Sequence, residues 1–386
     1  MTALAPLSAD WHTAARERLR ARAQAAGLDG LLMLRVSNLA YATGLFLSAN
    51  ERPMGLWLPV EGDPVLFMPD LERENVETGP IAEIRLYDEF PGETPPVLWM
   101  LDEIGPHAVG IDALDAALLD AVRARASALE LRDHVMEERF VKTPEELALT
   151  RAAAGFADAF LHRLHAAGGD IIAQGGTEQD LMADAMAHAR SALMAAHGAA
   201  FAGTPMGITA SVHSGPRAAL PHGAVLRRVP QPGETLIAGI GASLGGYHAE
   251  SGATFTLGAP SAEQARIMAA MTACNAAAAS TARPGARCDA VNTAALEELR
   301  TAGLADAIRH RIGHGMGLEG HEAPWLAPGD ATRVAAGMVF SNEPGVYRPG
   351  IDGYRTINTM IVTDTGCEVP SRFQADCPAE TRIIPL

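Results

Sequence analysis

The sequence predicts an α+β protein in two parts: a smaller N-terminal α/β domain over residues 1–136 and a larger domain over residues 137–386. Three observations predict this. In the first part helix-like and strand-like stretches alternate, as in an α/β unit. Between the parts, Glu137–Glu146 is charged and carries a helix-start signature. In the second part helices come first and strand-like runs follow in hairpin-like groups, which argues against a doubly wound sheet.

Each element has a local reason. Trp11–Gly27 carries Ala, Leu and Arg at helical spacing and stops at a glycine, a suitable C-cap. Asp29–Val36 is an apolar run that suits a buried strand. Leu56–Val60 and Pro64–Met68 are separated by Glu61-Gly62-Asp63 and read as a hairpin. Ala108–Ile111 reads as a strand, followed by a helical stretch to Ala128. At Thr143-Pro144-Glu145-Glu146 the threonine can cap, proline suits the first turn, and the two acids suit the positive helix end. A long helix is expected from there to about Ala167. Helices are expected again over Thr177–His197, Ser261–Ala282 and Cys288–Ala302. Strands fill Ala200–Thr256 and the tail from Gly313. No internal repeat recurs at a fixed period.

Composition removes several function classes. Lys and Arg total 30 against 46 Asp and Glu, a formal net charge of −16. That charge repels phosphate backbones and anionic lipid, so neither nucleic acid nor a membrane is expected as a partner. No apolar run approaches the roughly 20 residues of a membrane span, and Met1–Asp10 shows no signal-peptide pattern. Cys274, Cys288, Cys367 and Cys377 have neither disulfide-framework nor zinc-finger spacing and read as reduced thiols. A cytoplasmic protein is expected.

Four segments concentrate polar residues beyond structural need: Ser214–Gly223, Gly245–Glu250, Gly313–Glu322 and Phe340–Tyr347. In the third, glycines flank His314, which would let the backbone and its imidazole approach a ligand or metal closely. His321 and Glu322 follow. In the last, Glu343 ends an apolar run, where a carboxylate is costly unless paired or metal-bound. Tyr247 and Tyr347 read as packing residues, and His213, His248 and His310 as surface or core histidines.

These segments resemble the creatinase/prolidase/methionine aminopeptidase family of pita-bread hydrolases, in its Xaa-Pro dipeptidase-like branch. The resemblance covers nearly the whole chain. Leu28-Asp29-Gly30, Asn38–Gly44 and Val141–Glu146 are similar to the family's N-terminal pattern and catalytic-domain start. Pro221-His222-Gly223, Gly313–Gly317 and Glu343-Pro344-Gly345 are similar to its catalytic landmarks, in the family's order. The resemblance implies a pita-bread catalytic domain behind a creatinase-like N-terminal domain, a homodimer, and hydrolysis of a C–N bond in a dipeptide or other small substrate.

It also implies a dinuclear metal site on two Asp, one His and two Glu. Here His314 and Glu343 match two of those positions and Glu250 a third, while Gly239 and Ile357 fall on the remaining two. Two dications about 3.5–4 Å apart need several carboxylates around them. The expectation is therefore no cofactor, or one divalent ion (Mn, Zn or Fe) on Glu250, His314 and Glu343. By resemblance, His222 and His321 handle protons and substrate beside Glu343, and Arg355 and Glu250 bind substrate. Two other outcomes are compatible with the same residues. One is a metal-independent, creatinase-like amidohydrolase with His222 as proton carrier. The other is an inactive member that binds a peptide or small ligand.

Overall fold

The structure, a computed structural model, describes residues 4–386 apart from 89–91 and 93. The chain divides into two compact units, Leu7–Arg139 and one holding Phe140–Leu386.

The first unit opens on a helix at Ala9–Ala25, capped by the Ser8 hydroxyl and buried at Ala15, Leu19 and Ala23, one stripe at four-residue spacing. Six strands follow: β1 (Gly30–Met33), β2 (Gly55–Pro59), β3 (Val65–Pro69), β4 (Glu83–Tyr87), β5 (Ala108–Ile111) and β6 (Ala128–Leu131). They form a mixed sheet in the order β4-β3-β2-β1-β5-β6. The expected hairpin is β2–β3, paired antiparallel.

Two expectations fail here. The apolar run Asp29–Val36 is a strand only to Met33, because the Asp112 carboxylate takes the backbone N–H groups of Leu34 and Arg35 at 2.7 and 3.1 Å. That carboxylate starts a helix at Val36–Thr43, whose N-cap residue, Arg35, makes no side-chain capping bond. Likewise no helix runs to Ala128. A short one at Leu119–Arg123 gives way to β6, which pairs in parallel with β5. Tertiary pairing overrides the local preference.

In the second unit the Pro144–Ala173 helix begins with a reciprocal cap in which the Thr143 hydroxyl and Glu146 carboxylate serve each other's backbone N–H. The same device starts the Glu178–His197 helix at Thr177/Asp180 and the Ala262–Thr281 helix at Ser261/Gln264. Each such cap stabilises its helix by about 1 kcal/mol. The first helix outruns its expected end at Ala167. Gly168 and Gly169, just past that point, admit the C-terminal segment. A Cβ on Gly169 would press on the Pro385 carbonyl, and one on Gly168 on Ile384.

The helix buries Leu149, Ala153, Ala157, Phe160, Leu161, Leu164 and Gly168 against the sheet. Its alanines permit close approach, and fully buried Phe160 and Leu161 contribute about 1.5–3 kcal/mol each. Beneath it lie β7 (Met206–Ser214), β8 (Thr235–Leu244), β9 (Tyr247–Leu257), β10 (Gly313–Gly315), β11 (Glu322–Leu326), β12 (Val339–Asn342) and β15 (Ile357–Val362). Their order is β11-β10-β12-β15-β9-β8-β7, antiparallel throughout. β13 (Gly345–Arg348) and β14 (Asp352–Arg355) form a separate two-stranded ribbon that packs on β8 and β9. The Ala262–Thr281 and Cys288–Thr301 helices pack together over Phe340, Tyr354 and Met360.

Candidate active site

Side chains alternate across a strand, and β9 shows what that does. Ser251 points at the long helix, where its hydroxyl donates to Asp158 at 2.6 Å. Its neighbours Glu250 and Gly252 therefore face the other way. Thr359 on β15 fixes this register by accepting from the Glu250 N–H and donating to the Glu250 carbonyl, both at 2.8 Å. On β10, His314 lies opposite Ser341 of β12. Glu343 follows β12 directly.

The glycines flanking His314 have a different purpose from the one expected. A Cβ on Gly313 would overlap the Ser341 carbonyl, and one on Gly315 would sit 2.6 Å from the Ala323 carbonyl oxygen. They admit neighbouring strands, not a ligand, and so hold the His314 backbone from both sides.

Glu250, His314, His321 and Glu343 converge. His314 Nε2 lies 3.4 Å from Glu343 Oε1 and 3.7 Å from Glu250 Oε2, and His321 Nε2 lies 3.9 Å from Glu250 Oε1. The two imidazoles stack, with ring centroids 3.7 Å apart. Ser341 donates to Glu250 Oε2 at 2.7 Å. His314 Nδ1 faces the Gly315 carbonyl at 3.0 Å, which leaves Nε2 for the carboxylates. That buried Nε2 makes no hydrogen bond among the described residues.

A cavity of about 300 Å³ opens on this cluster. Glu250, Glu343, His321, His222, His213 and Arg355 line it, with Gly239 and Ile357 on its wall. His222 is exposed at its rim. His213, read from sequence as a bystander, belongs to the lining, and its Nε2 approaches the Gly223 carbonyl at 2.5 Å, bracing the His222 loop. Tyr347 is buried and meets His310 Nε2 at 2.9 Å. Tyr247 donates to Glu146 at 2.8 Å, a packing role for its ring.

The electrostatics follow from burial and neighbours. Burial, reinforced by Glu343, raises the Glu250 pKa despite the opposing pull of His314. Burial would raise Glu343 as well, but the His314 imidazole 3.4 Å away outweighs it and holds Glu343 below the usual carboxylate range. His314 is raised: burial opposes its charge, and the two carboxylates outweigh burial. His321 is lowered, first by partial burial and then by His314.

Residues 148–364 match metallopeptidase family M24, and residues 16–148 match the creatinase/prolidase N-terminal domain. The chain belongs to family M24. Probable dipeptidase PepE of Mycobacterium bovis is 32% identical over 369 residues, which cover 94% of this chain and 93% of that one. The Xaa-Pro dipeptidase of Pyrococcus furiosus is 26% identical, over 88% of this chain and 92% of its own. The crystal structure of dipeptidase PepE from Mycobacterium ulcerans superposes with a TM-score of 0.85 at 26% identity, covering 99% and 100% of the two chains. The pita-bread expectation for the catalytic domain thus holds, as does the creatinase-like N-terminal domain.

For this M24 chain the donor atoms can be tested against a divalent ion. Glu250, His314 and His321 each offer a ligand atom, all within 4.8 Å of one another. Ligand bonds of about 2.0–2.2 Å hold donors around an ion at roughly 3–4 Å spacing, which the 3.4, 3.7 and 3.9 Å separations match. The unpartnered His314 Nε2 is the orphaned donor such an ion would satisfy. The sequence pattern pointed to His314, Glu250 and Glu343; it did not point to His321 within ligand reach, or to Ser341. No helix is long and apolar enough to cross a membrane among the described residues.

Proposed function

We propose that the protein hydrolyses the C–N bond of a small peptide, as a dipeptidase, at a site that holds one divalent ion (Mn, Zn or Fe). The reading is of a cytoplasmic homodimer. The observation that carries the hydrolytic reading is the unpartnered, buried His314 Nε2 set at 3.4 and 3.7 Å from two carboxylates that themselves line an open cavity.

His314, Glu250 and Glu343 would hold the ion, and His321 Nε2 is close enough to join them. When bound, the ion would polarise the scissile carbonyl and lower the pKa of a water molecule. The chain's own residues supply the rest. Glu343, kept ionised by His314, takes the proton from the attacking water. His321, held neutral near pH 7 by burial, and His222 at the rim can carry that proton to the leaving nitrogen. Ser341 keeps Glu250 aimed inward.

The test is metal content combined with turnover on a dipeptide panel that includes Xaa-Pro. About one ion per chain is expected, with turnover lost on chelation and restored by the ion. Glu343→Gln should lower kcat by about 10²–10⁴-fold, the range for a general base. Full turnover after exhaustive chelation, lost in His222→Ala, would replace this reading by the metal-independent one. The raised pKa of His314 is the observation that favours that second reading, since an imidazolium can itself neutralise the two carboxylates.

A further inference from the structure

Glu178 is the first residue of the Glu178–His197 helix, and its side chain is fully buried. It lies outside the cavity lining. A buried carboxylate is costly unless its oxygens are met, and three donors meet these. Oε1 accepts from the Ser214 N–H at 2.9 Å and from the Ser214 hydroxyl at 2.7 Å, and Oε2 accepts from the Leu226 N–H at 3.2 Å. Ser214 and Leu226 are the two ends of the loop whose tip is Pro221-His222-Gly223. One carboxylate thus closes that loop at its neck.

The neck is reinforced from both sides. The first two N–H groups of the helix, which no helix can satisfy internally, donate to the Arg228 and Leu226 carbonyls at 2.9 and 3.3 Å. Arg228 Nη1 donates to the Ser214 hydroxyl oxygen and to Glu234 Oε2, both at 2.7 Å. Gly215 turns the chain at a φ of +55°, and a Cβ there would overlap the Glu234 carboxylate. The tip is held more lightly. Every residue from Leu220 to Leu226 is exposed or half-buried, with Leu220 46% and Leu226 42% exposed. Polar contacts reach it from the cavity side. His213 meets the Gly223 carbonyl, and Arg355, whose Nη2 lies over Gly239, donates from Nη1 to the Pro221 carbonyl at 3.1 Å. Apolar burial does not hold the tip in place; charge-assisted hydrogen bonds at the neck set where it stands.

We propose that Glu178 is a positioning residue: by gathering Ser214 and Leu226 on one carboxylate it fixes the loop that sets His222 at the cavity rim. The role rests on the reading of His222 as a proton carrier.

Turnover, together with trypsin cleavage after the exposed Arg227 at the foot of the loop, tests this on the full chain. Glu178→Gln keeps the side-chain shape but removes the charge and turns a donor toward the Leu226 N–H. Losing charge-assisted hydrogen bonds corresponds to about 10–100-fold in an equilibrium, so cleavage at Arg227 should be faster by that factor. Ser214→Ala, which removes one of the three donors, should give a smaller change in the same direction; melting curves report whether each variant is folded. In Glu178→Gln, kcat should fall by up to about 100-fold, the cost of a small misplacement. In a His222→Ala background the same substitution should cost no further turnover, although the loop is still cut faster. A role confined to holding the fold together would lower turnover equally in both backgrounds. A native cleavage rate in folded Glu178→Gln, an equal loss of turnover in both backgrounds, or native turnover in His222→Ala would overturn the proposal. A native protein that hydrolyses no dipeptide, with the loop still cut faster in Glu178→Gln, would overturn the dipeptidase reading and leave the clamp on His222 standing.

Discussion

Replacing Lys142 by methionine tests whether the wall behind His321 rests on a buried charge pair. Lys142 Nζ donates to Glu322 Oε1 at 2.9 Å, with the two side chains 2% and 0% exposed. Glu322 also accepts from the Glu319 N–H at 3.3 Å, so it closes the turn that carries His321. Removing one partner of a fully buried pair leaves the other charge uncompensated and destabilises by about 3–5 kcal/mol. The Arg151–Glu368 pair is the internal control. It is two-pronged and equally short, but its side chains are 42% and 37% exposed, so Arg151→Met should cost less than about 1 kcal/mol. Denaturant unfolding of the native chain, the two single variants and Lys142→Met/Glu322→Leu separates the contributions. The double variant, apolar on both sides, should recover most of the loss, since the penalty lies in the orphaned charge. Turnover should follow the same order, because His321 adjoins Glu322 and stacks on His314. The reasoning fails if Lys142→Met costs no more than Arg151→Met, or if the double variant costs the sum of its parts.

Two further outcomes are expected. Gly313→Ala should destabilise by about 1–3 kcal/mol or more, the range for overpacking, because its Cβ overlaps the Ser341 carbonyl. It should weaken metal binding in calorimetry by moving His314, whereas unchanged affinity and stability would refute the close strand approach. Stability should fall as pH drops from about 6.5 to 5.5. His213, His248, His310 and His321 have pKa values lowered first by burial, so unfolding takes up protons there in acid. His314, raised, works in the opposite direction, and its stabilisation is lost as pH rises through its folded-state pKa. His314→Gln should therefore steepen the acid decline; a protein more stable at pH 5.5 than at 7.5 would contradict the balance.

What could be read from the sequence was what short-range chemistry decides. Thr143, Thr177 and Ser261 announced their helices because each cap closes within four residues. Glu343 and His314 announced themselves because a carboxylate after an apolar run and a histidine between glycines are locally anomalous. The helix expected up to Ala128 failed because β6 forms by pairing with β5, a partner some 20 residues distant. His321 within ligand reach, Ser341 on Glu250, and Arg355 over Gly239 were illegible for the same reason. Ser341 and Glu250 depend on register between β9, β12 and β15, where a one-residue slip would turn either side chain to the other face, and His321 and Arg355 depend on where the turn before β11 and the end of β14 come to lie against those strands.

The charges in the cavity limit what it can hold. Glu250 and Glu343 bring two negative charges when ionised, and Arg355 brings one positive charge. A dication about 4 Å from a guanidinium is opposed by about 8 kcal/mol at an effective dielectric constant near 20, twice the figure for two unit charges. An ion on the His314 side of the cluster is drawn by both carboxylates; one beside Gly239 would meet the guanidinium, with no side-chain oxygen at 239 or 357 to offset it. His314 Nε2 has a single lone pair, which takes either a proton or a metal. The imidazolium that the carboxylates favour and the ion that they would bind are thus alternative occupants of one position. Metal affinity is then coupled to that proton, and the metal-dependent and metal-independent readings differ at one nitrogen.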